Sequence, residues 1–137
     1  MIVIVTGVSG YIGGQTALLL KDAGHTVYGI DRREPPEHLR GVCDRFLYQD
    51  FASDVALSWI VSYKPDAIIH CAGTSLVGPS IMNPSLYYEN NFVATKRLLD
   101  YLVDHKLTDI RVIFSSSAAT YGANYGSVPR GRSNYSY

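Results

Sequence analysis

The sequence predicts a doubly wound α/β domain, a parallel sheet of about five strands in the order 3-2-1-4-5 with helices on both faces. Three observations lead there. Strand-like and helix-like segments alternate along the chain, the pattern of a parallel sheet covered by helices. A glycine turn, Gly7-x-x-Gly10-x-x-Gly13, joins the first strand to the first helix. An aspartate, Asp31, closes the second strand about 20 residues later, where a dinucleotide-binding sheet needs a carboxylate.

Ile2 to Thr6 is a β-branched run and reads as the first strand. The first helix spans about Tyr11 to Ala23, with Ile12, Ala17, Leu18, Leu19 and Leu20 as its apolar face and Gly24 as its stop. Thr26 to Ile30 forms the second strand, ended by Asp31. Pro35, Pro36 and Gly41 make residues 33–44 an irregular connection. Arg45 to Gln49 is a short third strand, followed by Asp50 and Phe51.

Ser53 is the expected N-cap of a helix reaching about Tyr63, whose apolar face holds Val55, Leu57, Trp59, Ile60 and Val61. Pro65-Asp66 ends it. Ala67 to Cys71 is nearly all apolar, as a central strand buried on both faces would be. Residues 72–82 read as a loop. Asn83 as N-cap and Pro84 at the first helical position open the longest helix, to about Asp104. On it Tyr87, Asn91, Ala94, Thr95, Leu98 and Leu102 share one face, which predicts a buried Asn91 with its amide engaged. Ile110 to Phe114 is the fifth strand, and it runs into Ser115-Ser116-Ser117.

The 137 residues suit one domain, and a formal net charge of zero offers no electrostatic draw toward nucleic acid or an anionic membrane. No apolar run reaches membrane-spanning length, and none resembles a secretory leader. Cys43 and Cys71 lack paired spacing, which predicts reduced thiols and a cytoplasmic location, with Cys71 as buried filler. His70 ends a buried strand without a second ligand at metal spacing, so it reads as a structural histidine bonded between backbone segments.

The glycine turn has a direct chemical use. Residues without Cβ let backbone N–H groups approach a pyrophosphate, and the following helix points its positive end at the same anion. Asp31 would accept the adenosine ribose hydroxyls and repel a 2′-phosphate, which favours NAD over NADP. Arg32 and Arg33 work against that preference, since an arginine there can accept the phosphate. Three serines leaving a strand can merely cap a turn, but ligands of open α/β sheets bind beyond these strand ends.

Four segments carry a family resemblance: Thr6-Gly7-x-x-Gly10-x-x-Gly13, His70-x-Ala72-Gly73-x-x-x-Val77-x-x-Ser80, Asn91-x-x-Ala94-Thr95 and Phe114-Ser115-Ser116-Ser117-x-x-x-Tyr121-Gly122. In order and spacing they resemble the extended short-chain dehydrogenases, and among these the NAD-dependent UDP-glucose (UDP-galactose) 4-epimerases. The resemblance covers the whole chain but only the first part of the family's fold, a Rossmann-like NAD-binding domain over residues 1–137 without a sugar-nucleotide domain.

That likeness implies roles. Gly7, Gly10, Tyr11, Ile12 and Gly13 would form the pyrophosphate turn, and Asp31 with Arg32 would hold the adenosine ribose. Asp50 and Phe51 would contact adenine, Cys71, Ala72 and Gly73 would line the dinucleotide, and Asn91 would brace their loop. Ser115 would face the nicotinamide, and Ser117 would hydrogen-bond the sugar. Tyr137, with Tyr135 as the other candidate, matches the family's proton-transfer tyrosine, although the family's lysine would stand beyond Tyr137 and both tyrosines could be mere tail residues. Ala118-Ala119 stands where dehydratases of the family carry Asp-Glu, which argues against dehydration. Ser75 replaces a lysine common in the epimerase pattern, and Ala94 replaces a glycine.

The implied function is therefore interconversion of UDP-glucose and UDP-galactose through transient C4 oxidation by NAD. A catalytically silent NAD-binding module, half of a split enzyme and a nucleotide-sugar reductase remain as alternatives. An open edge on the fifth strand predicts a homodimer or a complementing C-terminal half as partner.

Overall fold

The computed structural model describes residues 1–117. Five parallel strands, β1 (Ile2–Thr6), β2 (Thr26–Asp31), β3 (Arg45–Tyr48), β4 (Ala67–His70) and β5 (Arg111–Phe114), form one sheet in the order β3-β2-β1-β4-β5. This is the Rossmann-like arrangement the alternating pattern predicts. Its order reverses at β1, so the crevice between the carboxyl ends of β1 and β4 is the topological switch point where such sheets take ligands.

Register sorts the side chains. Ile4, Tyr28, Ile68 and Val112 share one row, and Thr6, Ile30, His70 and Phe114 share the next on the same face. Helices α2 (Asp54–Tyr63) and α5 (Ala94–Asp104) supply Ala56, Leu57, Ile60, Leu98 and Leu102 to the core on that face. The pair is tied at the surface, where Arg97 Nη2 donates to Asp54 Oδ1 at 2.6 Å. The opposite face packs Val5 and Val27 against Val8 of the glycine turn and Ala17 of helix α1 (Tyr11–Asp22).

Helix α1 meets the sheet through Gly13, Gly14 and Ala17, its smallest residues, while Ile12 and Leu19 are exposed. The expected leucine-rich contact face is thus corrected to a narrow small-residue stripe, which lets helix and sheet approach closely. In α2 the buried residues are Ala56, Leu57 and Ile60, and Val55 is exposed. Five apolar positions among seven span too wide an arc for one helix face.

Ser53 caps α2 as expected, its Oγ accepting the Ala56 N–H at 3.2 Å. Ser53→Ala should therefore lower stability by about 1 kcal/mol, measured as a drop in the urea midpoint with unchanged slope. Lys64 ends the helix in the left-handed region (φ 43°).

Residues 72–82 are not all loop. Val77–Met82 forms a short helix, α3, which Gly78 and Pro79 concealed in the sequence. After it Asn83 Oδ1 accepts the Leu86 N–H at 3.2 Å and opens α4 (Pro84–Tyr88). The backbone continues without a break through a π-helical turn, Glu89–Val93, into α5. This is the long predicted helix with one irregularity, and that irregularity lies beside the groove.

Strand β5 pairs only with β4 among the described residues, and Ile113 and Phe114 are more than half exposed. Among the described residues β5 is therefore an edge strand. No helix among the described residues is long and apolar enough to cross a membrane.

Candidate functional site

A groove of about 740 Å³ runs across the carboxyl ends of the strands. Gly7, Gly10, Tyr11, Ile12, Gly13, Asp31, Arg32, Asp50, Phe51, Cys71, Ala72 and Gly73 all line it, so these sequence-predicted positions meet in one place, while Asn91 and Ser115 are not in its lining.

At its centre is the glycine turn. Gly7 adopts φ +71°, its N–H donating to Ile30 O at 2.8 Å and its carbonyl accepting the Gly10 N–H at 3.0 Å. A Cβ on Gly7 would sit 2.6 Å from the Ala72 nitrogen, and one on Gly13 would sit 2.2 Å from the Gly7 oxygen. Two glycines are therefore demanded by backbone crossing backbone. Gly10 is the N-cap of α1, with no side chain capping the helix and no acid in its first turn. The first N–H groups of a helix have no partner within it, so an uncapped terminus in a groove is suited to an anion.

On the β2 side, Asp31 is buried and braces the turn. Its Oδ2 accepts the Ser9 N–H at 2.9 Å and its Oδ1 the Arg33 N–H at 2.9 Å. Each carboxylate oxygen retains acceptor capacity for a ribose hydroxyl. Arg33 Nε lies 3.7 Å from Asp31, and Arg32 Nη1 lies 3.5 Å from Asp50 Oδ2. Asp50 Oδ1 also accepts the Ala52 N–H at 2.9 Å. Phe51 lines the groove but is mostly core, its ring edge-on to His70 with centroids 4.6 Å apart.

On the β4 side, Cys71 is half-buried rather than filler, and desolvation raises its thiol pKa, which keeps it protonated. Cys43, behind α1, is pushed up to about 11 mainly by burial. Neither is an activated nucleophile. Asn91 is exposed, against the expectation of burial, yet its amide is engaged as predicted. Its Oδ1 accepts the Thr74 N–H at 2.7 Å and its Nδ2 donates to Thr74 O at 2.9 Å. Asn90 Nδ2 reaches Thr74 Oγ1 at 3.0 Å. Successive residues of an α-helix point about 100° apart, and the π turn brings both asparagines to one loop residue.

His70 bonds side chains rather than backbone: Nδ1 lies 2.6 Å from Thr6 Oγ1 and Nε2 lies 2.9 Å from Thr95 Oγ1. Burial lowers its pKa to about 4, so the ring is neutral at neutral pH.

Ser115 and Ser117 follow β5 and are exposed, outside the groove lining, with the Ser115 N–H donating to His70 O at 3.0 Å. Tyr121, Tyr135 and Tyr137 lie outside the described residues. Sequence reasoning missed Gln49, Thr74, Leu76 and Asn90 as groove residues. Only the Asn90-Asn91 repeat carried a signal, and it required the π turn to be known. Among the described residues no group of His, Cys, Asp or Glu could hold a metal ion.

This arrangement can hold a diphosphate at the centre with a diol at one end, and its lining fits a dinucleotide by the absence of Cβ atoms where backbone must approach. A UDP-glucose 4-epimerase of Halalkalibacterium halodurans is 39% identical over 124 residues, covering 89% of this chain and 36% of that protein. The solved UDP-glucose 4-epimerase of Brucella ovis, in complex with NAD, superposes with a TM-score of 0.79 at 35% identity over 89% of this chain and 37% of that one. The Stenotrophomonas maltophila enzyme, with bound NAD and formylated UDP-arabinopyranose, gives 0.80 at 27% identity over 92% and 40%. The chain thus spans little more than a third of the length of these relatives. Residues 3–136 match the model of the NAD-dependent epimerase/dehydratase family, and the chain belongs to that family.

Proposed function

We propose that this chain binds NAD in the groove and serves the C4 epimerisation of UDP-glucose and UDP-galactose. The observation that carries the reading is the uncapped α1 terminus in a groove whose β2 end holds a buried aspartate with acceptor capacity to spare.

In this reading the N–H groups of Tyr11, Ile12 and Gly13 bind the pyrophosphate, and Asp31 with Arg32 binds the adenosine ribose. Asp50 and Phe51 border adenine, while Cys71, Ala72 and Gly73, braced by Asn91, border the other nucleotide. Bound NAD would supply reversible hydride acceptance. Ser115 lies toward the nicotinamide, Ser117 orients the sugar hydroxyl, and Tyr137 takes its proton.

Isothermal titration should give saturable NAD binding that Asp31→Ala weakens at least about tenfold, the loss of two ribose hydrogen bonds to a charged group. Conversion of UDP-galactose to UDP-glucose with added NAD would establish turnover, and NAD binding without conversion would make this a binding module. Net NADH consumption would instead indicate a reductase. The edge of β5, unpaired among the described residues, supports self-association or a complementing C-terminal half as partner. Sedimentation showing only monomer at micromolar concentration would count against the homodimer.

A further inference from the structure

One hydrogen-bonded chain passes through His70 and has a single workable direction. Thr95 Oγ1 donates its only proton to Asn91 O at 2.7 Å. Its bond to His70 must therefore take the proton from the ring, so Nε2 carries the hydrogen and Nδ1 is an acceptor. Nδ1 in turn accepts from the Thr6 hydroxyl, whose oxygen accepts the Ala72 N–H at 3.4 Å. Protons thus point from Ala72 N–H to Thr6, to His70, to Thr95, to the Asn91 carbonyl. Every polar atom of the buried Thr6 and His70 side chains is used.

The ring's position is also held by packing. Phe51 lies edge-on to it, and Phe114 sits with its centroid 5.7 Å away. What the chain joins is more informative than its length. Thr6 precedes Gly7 of the pyrophosphate turn, Ala72 lines the β4 half of the groove, and Asn91 grips Thr74 with its amide while its own carbonyl ends the chain. None of these hydrogen bonds reaches Asp31 or Asp50; toward that side the chain makes only the ring contact of His70 with Phe51 and the strand pairing of Thr6 with Ile30.

We propose that His70 is a positioning residue for the nicotinamide half of the dinucleotide, acting through Thr6 and Thr95 to fix the loop from Cys71 to Thr74 against the glycine turn. The proposal rests on the reading of the groove as an NAD site. It assigns His70 neither proton transfer nor contact with the ligand. Its role is to remove alternative placements of the loop before the ligand arrives, so that binding orders less of the protein.

The test compares NADH with ADP-ribose, which shares both phosphates and both riboses but lacks the nicotinamide. His70→Leu breaks both bonds but leaves a buried site repacked, so the half-buried Thr95 provides the cleaner variants. Thr95→Val should weaken NADH about tenfold, as loss of one well-placed hydrogen bond would, and leave ADP-ribose within about twofold. The fluorescence of bound NADH at saturation should also fall toward that of the free form. Thr95→Ser, which keeps the hydroxyl, should restore both readouts. Equal weakening of the two ligands, or of neither, would overturn the positioning role while leaving the NAD site intact. Failure of the unmodified chain to bind either ligand would overturn the NAD site and this role together.

Discussion

Gly13→Ala should abolish NAD binding and destabilise the fold by about 3 kcal/mol or more, the upper range for overpacking a site that cannot relax. The added Cβ would stand 2.2 Å from the Gly7 oxygen, 2.8 Å from its carbonyl carbon and 3.0 Å from the Val8 Cα. All three are backbone atoms. Gly7 cannot withdraw, because its N–H is bonded to Ile30 and its Cα faces Ala72 at a distance that already excludes a side chain. The turn must therefore open, which moves the helix terminus from the groove. Gly78→Ala is the matched control, since a Cβ there meets nothing within 4 Å. Urea unfolding and NAD titration on both variants would separate a local clash from a general intolerance of alanine.

Acid should destabilise the fold well above the carboxylate range. Burial holds His70 at about 4 in the folded chain, against 6.5 as its ordinary value. Between those two pH values the unfolded chain binds the extra proton and the folded chain does not, so unfolding gains ground as pH falls. Stability present above about pH 6.5 is lost progressively toward pH 4, on the order of 3 kcal/mol in all, and the loss levels off below that. Asp44, whose carboxyl is lowered chiefly by its hydrogen bond to Lys21, acts in the same direction only at lower pH, below its ordinary 3.8. His70→Gln keeps an acceptor and a donor without a titrating proton. Its urea midpoint should be nearly flat from pH 6.5 to 4.5, where the unmodified chain falls steeply, and parallel curves would refute the assignment.

The five strands were legible because each carries a compact β-branched or apolar run bounded by glycine, proline or acid, and the alternation with helices leaves few topologies. The nucleotide groove was legible for a related reason. Gly7 and Gly13 are needed where backbone crosses backbone, and Asp31 is needed as a buried acceptor, so chemistry restricted those letters. What escaped were features set by register and helix phase. Val77–Met82 is helical despite Gly78 and Pro79, because Pro79 falls near the start of the helix, where a missing N–H costs little. Val55 points outward because the sheet needed Ala56, Leu57 and Ile60. The partners of His70 come from residues 64 and 25 positions away, and no local spacing announces such a bond. Asn90 joined the groove only through the π turn, an irregularity without a composition of its own.

The position of β1 also bears on how the chain is made. Its hydrogen-bonding edge toward β2 is filled once residues 26–31 are available, but its other edge waits for β4, with Thr6 and His70 standing 64 residues apart. At ribosomal rates of about 5–20 residues per second that interval lasts roughly 3–13 s. For all of it, Ile2–Thr6 presents an apolar strand with an unpaired edge, the kind of template on which nascent chains associate. Occupation of that edge by β4, rather than formation of the glycine turn, closes β1 and passes the open edge outward to β4 until β5 pairs with it.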